Sequence, residues 1–90
     1  MAEPVVITLL AENGYSQDFE LAADLALEKL CPRLLAVLQR QSRMFAGWNE
    51  MVLELDGAGL LERSATLLDY GIRSGMYLTA VKKEKYNDQR

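Results

Sequence analysis

The segment from Asp24 to Gln41 constrains this chain most, because it is the one stretch with sustained helical amphipathicity. Leu27, Leu30, Cys31, Leu34 and Leu38, with Val37 beside them, recur at the spacing that puts apolar side chains on one helix face. Glu28, Lys29, Arg33, Gln39 and Arg40 fall on the water side, and Asp24 is placed to cap the first amides. Pro32 interrupts the pattern; it lacks a donor and crowds the carbonyl four residues back, at a cost of about 3 kcal/mol, so a bend is expected there rather than two helices. A helix with one apolar face needs an apolar surface to lie on. No second long amphipathic helix is present in the sequence, so that surface has to be a sheet.

The rest of the chain supplies strands. Val5 to Ala11 is rich in β-branched residues and leucine, and Tyr15 to Leu21 reads as its return strand after Asn13-Gly14. A two-residue turn at Asn13-Gly14 would put Phe19 opposite Thr8 and send Val5, Ile7 and Leu9 to the other face. Keeping those three inward requires a bulge or a loop of odd length. Ser42 to Glu50 has no periodicity and reads as a loop, with Phe45 and Trp48 as lids over the end of the core. Met51 to Leu55 alternates with Leu53 and Leu55 inward and Val52 and Glu54 outward. Asp56 to Gly59 is a turn, Leu60-Leu61 a very short strand, and Met76 to Lys82 a last strand with Leu78 and Ala80 inward. The order strand, strand, helix, strand, short strand, strand makes an α+β chain with one helix across a mixed sheet.

With 90 residues, half of them apolar, the chain has the size of one domain whose helix-on-sheet core needs no staples. The single cysteine, Cys31, lies on the inward stripe and reads as a small core side chain, which fits a reducing, cytoplasmic setting. A net charge of −3 argues against nucleic acid as partner, no apolar run reaches the length of a membrane span, and the N-terminus lacks the basic region and uninterrupted apolar segment of a signal peptide. The absence of histidine removes the commonest general base and metal ligand. Glu54 and Asp56 read as solvated acids at a strand end and a turn, and Gly57-Ala58-Gly59 lacks the helix and lysine of a phosphate loop. Lys82, Lys83 and Lys85 read as an exposed basic strand end. No cofactor, no metal and no catalytic residue is expected, and the protein is expected not to be an enzyme.

Thr66-Leu67-Leu68-Asp69-Tyr70-Gly71-Ile72 resembles the T-L-x-D-Y-x-I segment that ubiquitin-like domains carry before their last strand, matching at Thr66, Leu67, Asp69, Tyr70 and Ile72. The resemblance implies a β-grasp fold over residues 5–82, with an N-terminal tail at 1–4 and a polar tail at 83–90. It also implies that the Tyr70 hydroxyl bonds to backbone near Glu62. Tyr70, Gly71, Ile72, Gly75 and Leu78, with Gly47 and Trp48 before the third strand, are similar to the YukD-type proteins of bacterial type VII (WXG-type) secretion systems. That likeness implies a non-covalent docking module with protein partners, among them secretion-system membrane or ATPase components. The alternatives are a ubiquitin-like docking domain unrelated to secretion, or a modifier or sulfur carrier activated at its C-terminus. The last would need a terminal Gly-Gly, whereas no glycine follows Gly75. The expected contact surface is the outward sheet face: Val6, Leu10, Val52, Tyr77 and Val81, diluted by Glu54 and Thr79. Against it stands the reading that scattered outward Val, Leu and Tyr are ordinary surface.

Overall fold

The computed structural model describes residues 3–83; the tail expected at 83–90 and Lys85 of the basic cluster lie, apart from Lys83, outside them. Strands β1 (Val5–Ala11) and β2 (Tyr15–Leu21) form an antiparallel hairpin. Helix α1 (Leu27–Gln41) follows, then β3 (Glu50–Leu55), the two-residue β4 (Gly59–Leu60) and β5 (Tyr77–Lys83). The sheet order is β2-β1-β5-β3-β4, with β5 parallel to β1 and antiparallel to β3. This mixed five-stranded sheet with one helix across it is the β-grasp arrangement.

The hairpin solves its parity problem with a loop of odd length. Ala11 pairs with Tyr15 across the three residues Glu12–Gly14, so Ile7 faces Phe19 and Val5 faces Leu21. Asn13 and Gly14 both take positive φ, 62° and 77°, a conformation that asparagine tolerates and glycine adopts freely. Ile7 and Leu9 are thereby fully buried.

Leu27, Leu30, Cys31, Leu34 and Leu38 of α1 are buried against the sheet, as their spacing demands. Leu35 joins them, while Val37 sits at the rim with 37% of its surface exposed. The apolar stripe is thus wider by one residue at Leu34-Leu35 than a strict heptad reading gives. The helix runs unbroken through Pro32.

Asp24 does not cap the helix. Ala26 occupies the cap position without a side-chain bond, and the first amides find partners far along the chain. The Leu27 N–H donates to the Ala65 carbonyl and the Glu28 N–H to the Arg63 carbonyl, both at 2.8 Å. Backbone carbonyls from residues 63–65 thereby satisfy donors that every helix start leaves open. At the other end Gln39, expected to be merely solvated, donates from Nε2 to the carbonyls of Phe45 and Trp48 at 3.0 and 2.8 Å. Those bonds hold the loop in which Phe45 and Trp48 close the core, ring to edge at 4.9 Å, with Tyr15 edge-on to Phe45 at 5.1 Å.

The segment before β5 is built on backbone pins. Leu67 and Ile72 are buried, and the Glu62 N–H donates to the Tyr70 hydroxyl at 2.8 Å, the partner the resemblance implied. The Thr66 N–H donates to the Asp69 carboxylate at 2.9 Å and the Asp69 N–H to the Thr66 hydroxyl at 3.2 Å, a reciprocal pair that starts the short 3-10 turn Leu68–Tyr70. Gly71 ends it at φ 70°.

Candidate functional site

Once α1 covers one face of the sheet, the other face is free of secondary structure among the described residues, and its side chains are fixed by register. On β1 they are Val6, Thr8 and Leu10; on β5, Tyr77, Thr79 and Val81; on β3, Val52 and Glu54. Leu10 lies beside Thr79, Thr79 beside Glu54, and Val81 beside Val52. Leu10, Val52 and Val81 are therefore gathered around Thr79, each partly exposed. Tyr77 stands beside Thr8 at the end of this group, with 60% of its surface open to solvent.

Val6 stands apart from that group. It pairs with Glu20, four residues before Leu10, which at roughly 3.3 Å per residue puts it about 13 Å away along β1. Between them the Thr8 hydroxyl donates to the Asp18 carboxylate at 2.7 Å, a polar bar across the face. At the opposite margin Leu60, 58% exposed, pairs with Glu54 and extends the apolar surface onto β4. The sequence marks Leu60 as part of a short strand but not as part of this face; the inward packing of its neighbour Leu61 is the signal that points Leu60 out. Leu10, Glu54, Asp56, Tyr77 and Thr79 border a shallow depression. The face is a set of aliphatic side chains and one tyrosine around a threonine, edged by the carboxylates of Glu54 and Asp56. Such a surface can bury apolar area against a protein and select against a like-charged one.

Cys31 is the one described group whose titration is strongly displaced. Burial, and secondarily the Glu50 charge, push its thiol up to about 11, so it stays protonated at neutral pH. Among the described residues no group of three or more His, Cys, Asp or Glu side chains is arranged to hold a metal, and no helix is long and apolar enough to cross a membrane.

No family model and no curated protein matches this chain. Solved structures do. The ubiquitin-like domain of EccD5 from Mycobacterium xenopi superposes with a TM-score of 0.76 at 16% identity, over 94% of this chain and 100% of that one. The ubiquitin-like domain of the Mycobacterium tuberculosis type VII secretion system protein ECCD1 gives 0.71 at 23% identity, over 90% and 99%. A chain of the MycP5-free ESX-5 inner membrane complex gives 0.73 at 18% identity; it matches over 99% of this chain, which spans 24% of that longer one. The protein has the ubiquitin-like fold, and its structure is similar to the ubiquitin-like domains of type VII secretion proteins.

Proposed function

We propose that this domain is a non-covalent protein-docking module of a type VII secretion system. In this reading it works on the cytoplasmic side as a YukD-like accessory unit and performs no catalysis. The observation that carries the reading is the superposition, over nearly the full length of both chains, on the ubiquitin-like domains of EccD5 and of the type VII secretion system protein ECCD1. The outward face supports it. Leu10, Val52, Tyr77 and Val81, with Leu60 at the margin, offer apolar area on the sheet face that no described helix covers. Its partners would be protein components of the secretion system, including its membrane or ATPase subunits.

The test is affinity capture from the source cell with mass-spectrometric identification, comparing the unaltered chain with Val81→Asp. Val81 is partly exposed and its neighbour across the strands is Val52, so a carboxylate there removes one favourable cross-strand pair, about 0.2 to 1 kcal/mol, and leaves the fold intact. The unaltered chain should recover secretion-system subunits and Val81→Asp should not, with matching circular dichroism spectra. Capture that survives in the folded variant would remove the outward face from the mechanism. Recovery of no secretion subunit by the unaltered chain would remove the secretion assignment.

A further inference from the structure

The sheet has two edges, and the chain treats them differently. On β2 the solvent-facing positions are Ser16, Asp18 and Glu20, polar or charged side chains of the kind that discourage another strand from pairing. The corresponding positions on β3 are Glu50, Val52 and Glu54, so carboxylates flank this edge too, but its backbone is only partly covered. Strand β4 is only two residues long and covers β3 at Glu54 and Leu55 alone, with the Leu61 N–H added on the Leu53 carbonyl at 2.9 Å. In an antiparallel strand the N–H and C=O of one residue point to the same side, and the side alternates. Since Leu53 directs its carbonyl toward β4, Met51 directs both its N–H and its C=O to the same side. No described residue bonds them there.

What lies beside that open edge is a groove of about 300 Å³. Its floor is Met51, Val52 and Leu53, and its far wall is the α1 row Leu27, Cys31, Pro32 and Leu35. Pro32, which weakens the helix as a helix, is one of the apolar groups that form this wall. The charges at the groove are Glu28 from α1, Glu50 from β3 and Arg63 from the segment after β4, so carboxylates outnumber cations. The Glu50 charge reaches the groove wall, where it contributes to holding the Cys31 thiol protonated.

We propose that this groove receives an extended peptide from a protein partner, which adds to β3 as a further strand. The peptide pairs with the Met51 N–H and C=O and the Leu53 N–H, sets an apolar side chain against Cys31, Pro32 and Leu35, and presents a lysine or arginine to Glu28 and Glu50. Strand addition of this kind takes affinity from main-chain bonds and selectivity from alternate side-chain pockets. A strand about 4.8 Å outside β3 occupies the groove. The charge balance selects the occupant: a second copy of this chain would bring its own Glu28 and Glu50 against the first pair and a net charge of −3 with them. The site meets the outward face at Val52 and does not depend on the docking role assigned to that face.

The test uses the full chain, isotope-labelled, titrated with an acetylated and amidated heptapeptide alternating lysine and valine, and followed by amide chemical shifts and calorimetry. The largest shifts should fall on Met51 and Leu53 and on α1 from Leu27 to Leu35. Methylating alternate valine nitrogens of the peptide, or converting both Glu28→Lys and Glu50→Lys in the protein, should each weaken binding about tenfold or more, the change that loss of one or two such bonds produces. A shift map centred on Leu10, Thr79 and Val81 would overturn the proposal, as would no binding, or equal binding of the methylated peptide. Concentration-dependent shifts of Met51 and Leu53 in the protein alone, with a dimer in sedimentation, would give the edge to a second copy and overturn the peptide assignment.

Discussion

Replacing Tyr70 by phenylalanine isolates one oxygen atom. The ring stays, so its contacts with the core cluster are conserved and the difference between the two proteins is the acceptor of the Glu62 N–H, bonded at 2.8 Å. An intramolecular hydrogen bond contributes a net of about 0.5 to 1.5 kcal/mol, and a donor left buried without a partner raises the loss to about 1 to 3 kcal/mol. Glu62 is exposed and the bond lies at the surface, so water can reach the freed N–H and the lower range applies. Urea unfolding followed by the fluorescence of the buried Trp48 measures this directly. With a denaturant slope of about 1 kcal/mol per molar for a domain of this size, the midpoint should fall by roughly 0.5 to 1.5 M. Hydrogen exchange locates the effect. The Glu62 amide should exchange faster, and those of Leu27 and Glu28 should follow, because their acceptors at Ala65 and Arg63 sit on the segment that Tyr70 pins. Unchanged exchange at Glu62, or a loss above about 3 kcal/mol, would refute the reasoning, the second because it would require the ring itself to have moved.

Leu34→Ala should destabilise by about 2 to 5 kcal/mol, since Leu34 is 4% exposed within the core; a smaller loss in the same urea assay would place it outside. Pro32→Ala should stabilise by about 1 to 3 kcal/mol, because it restores the missing donor to the Glu28 carbonyl and removes the ring clash, partly offset by a more flexible unfolded chain. Cys31 should alkylate slowly at pH 8 and speed up only as pH approaches about 11. The folded thiol holds its proton to higher pH than the unfolded one, so the Cys31 contribution is fully present below about pH 9 and is lost as pH climbs toward 11; Cys31→Ala should flatten that decline in pH-dependent melts.

Much of this architecture is written locally. Alternation in Val5 to Ala11 and Tyr15 to Leu21 set both strands to the residue, and the demand that Ile7 and Leu9 share a face with Phe19 was enough to require an odd loop. The helical stripe and the Tyr70–Glu62 bond were likewise readable, the second through resemblance. What the sequence hid is what depends on distant chain. Asp24 looks like a cap because Asp caps helices in isolation. The helix starts later, at Leu27, because the Arg63 and Ala65 carbonyls are there to receive its amides. Thr66 and Asp69 carry the spacing of a reciprocal cap, a local signal that lies inside the family pattern. Of the outward face, the register shows Leu10, Val52 and Val81 together and Val6 well apart, a separation that only the pairing of β1 with β5 determines. The β3 groove could not be foreseen at all, since it exists only because β4 stops after two residues.

The position of β5 between β1 and β3 has a consequence for how the protein is made. A ribosome delivers the hairpin, then the helix, then β3, at about 5 to 20 residues per second, yet β1 and β3 have no contact with each other in the sheet until Tyr77–Lys83 emerges between them. Until residues 63–65 appear, the helix also lacks the acceptors for its first amides. Nascent chains shorter than Tyr77 thus carry an unsealed β1 edge and a β3 that rests on α1 and β4 with its β5 side unpaired. The domain is obliged to complete folding after its last strand has left the exit tunnel. Until then the vulnerable surface is the central seam of the sheet, where a holding chaperone would have to bind.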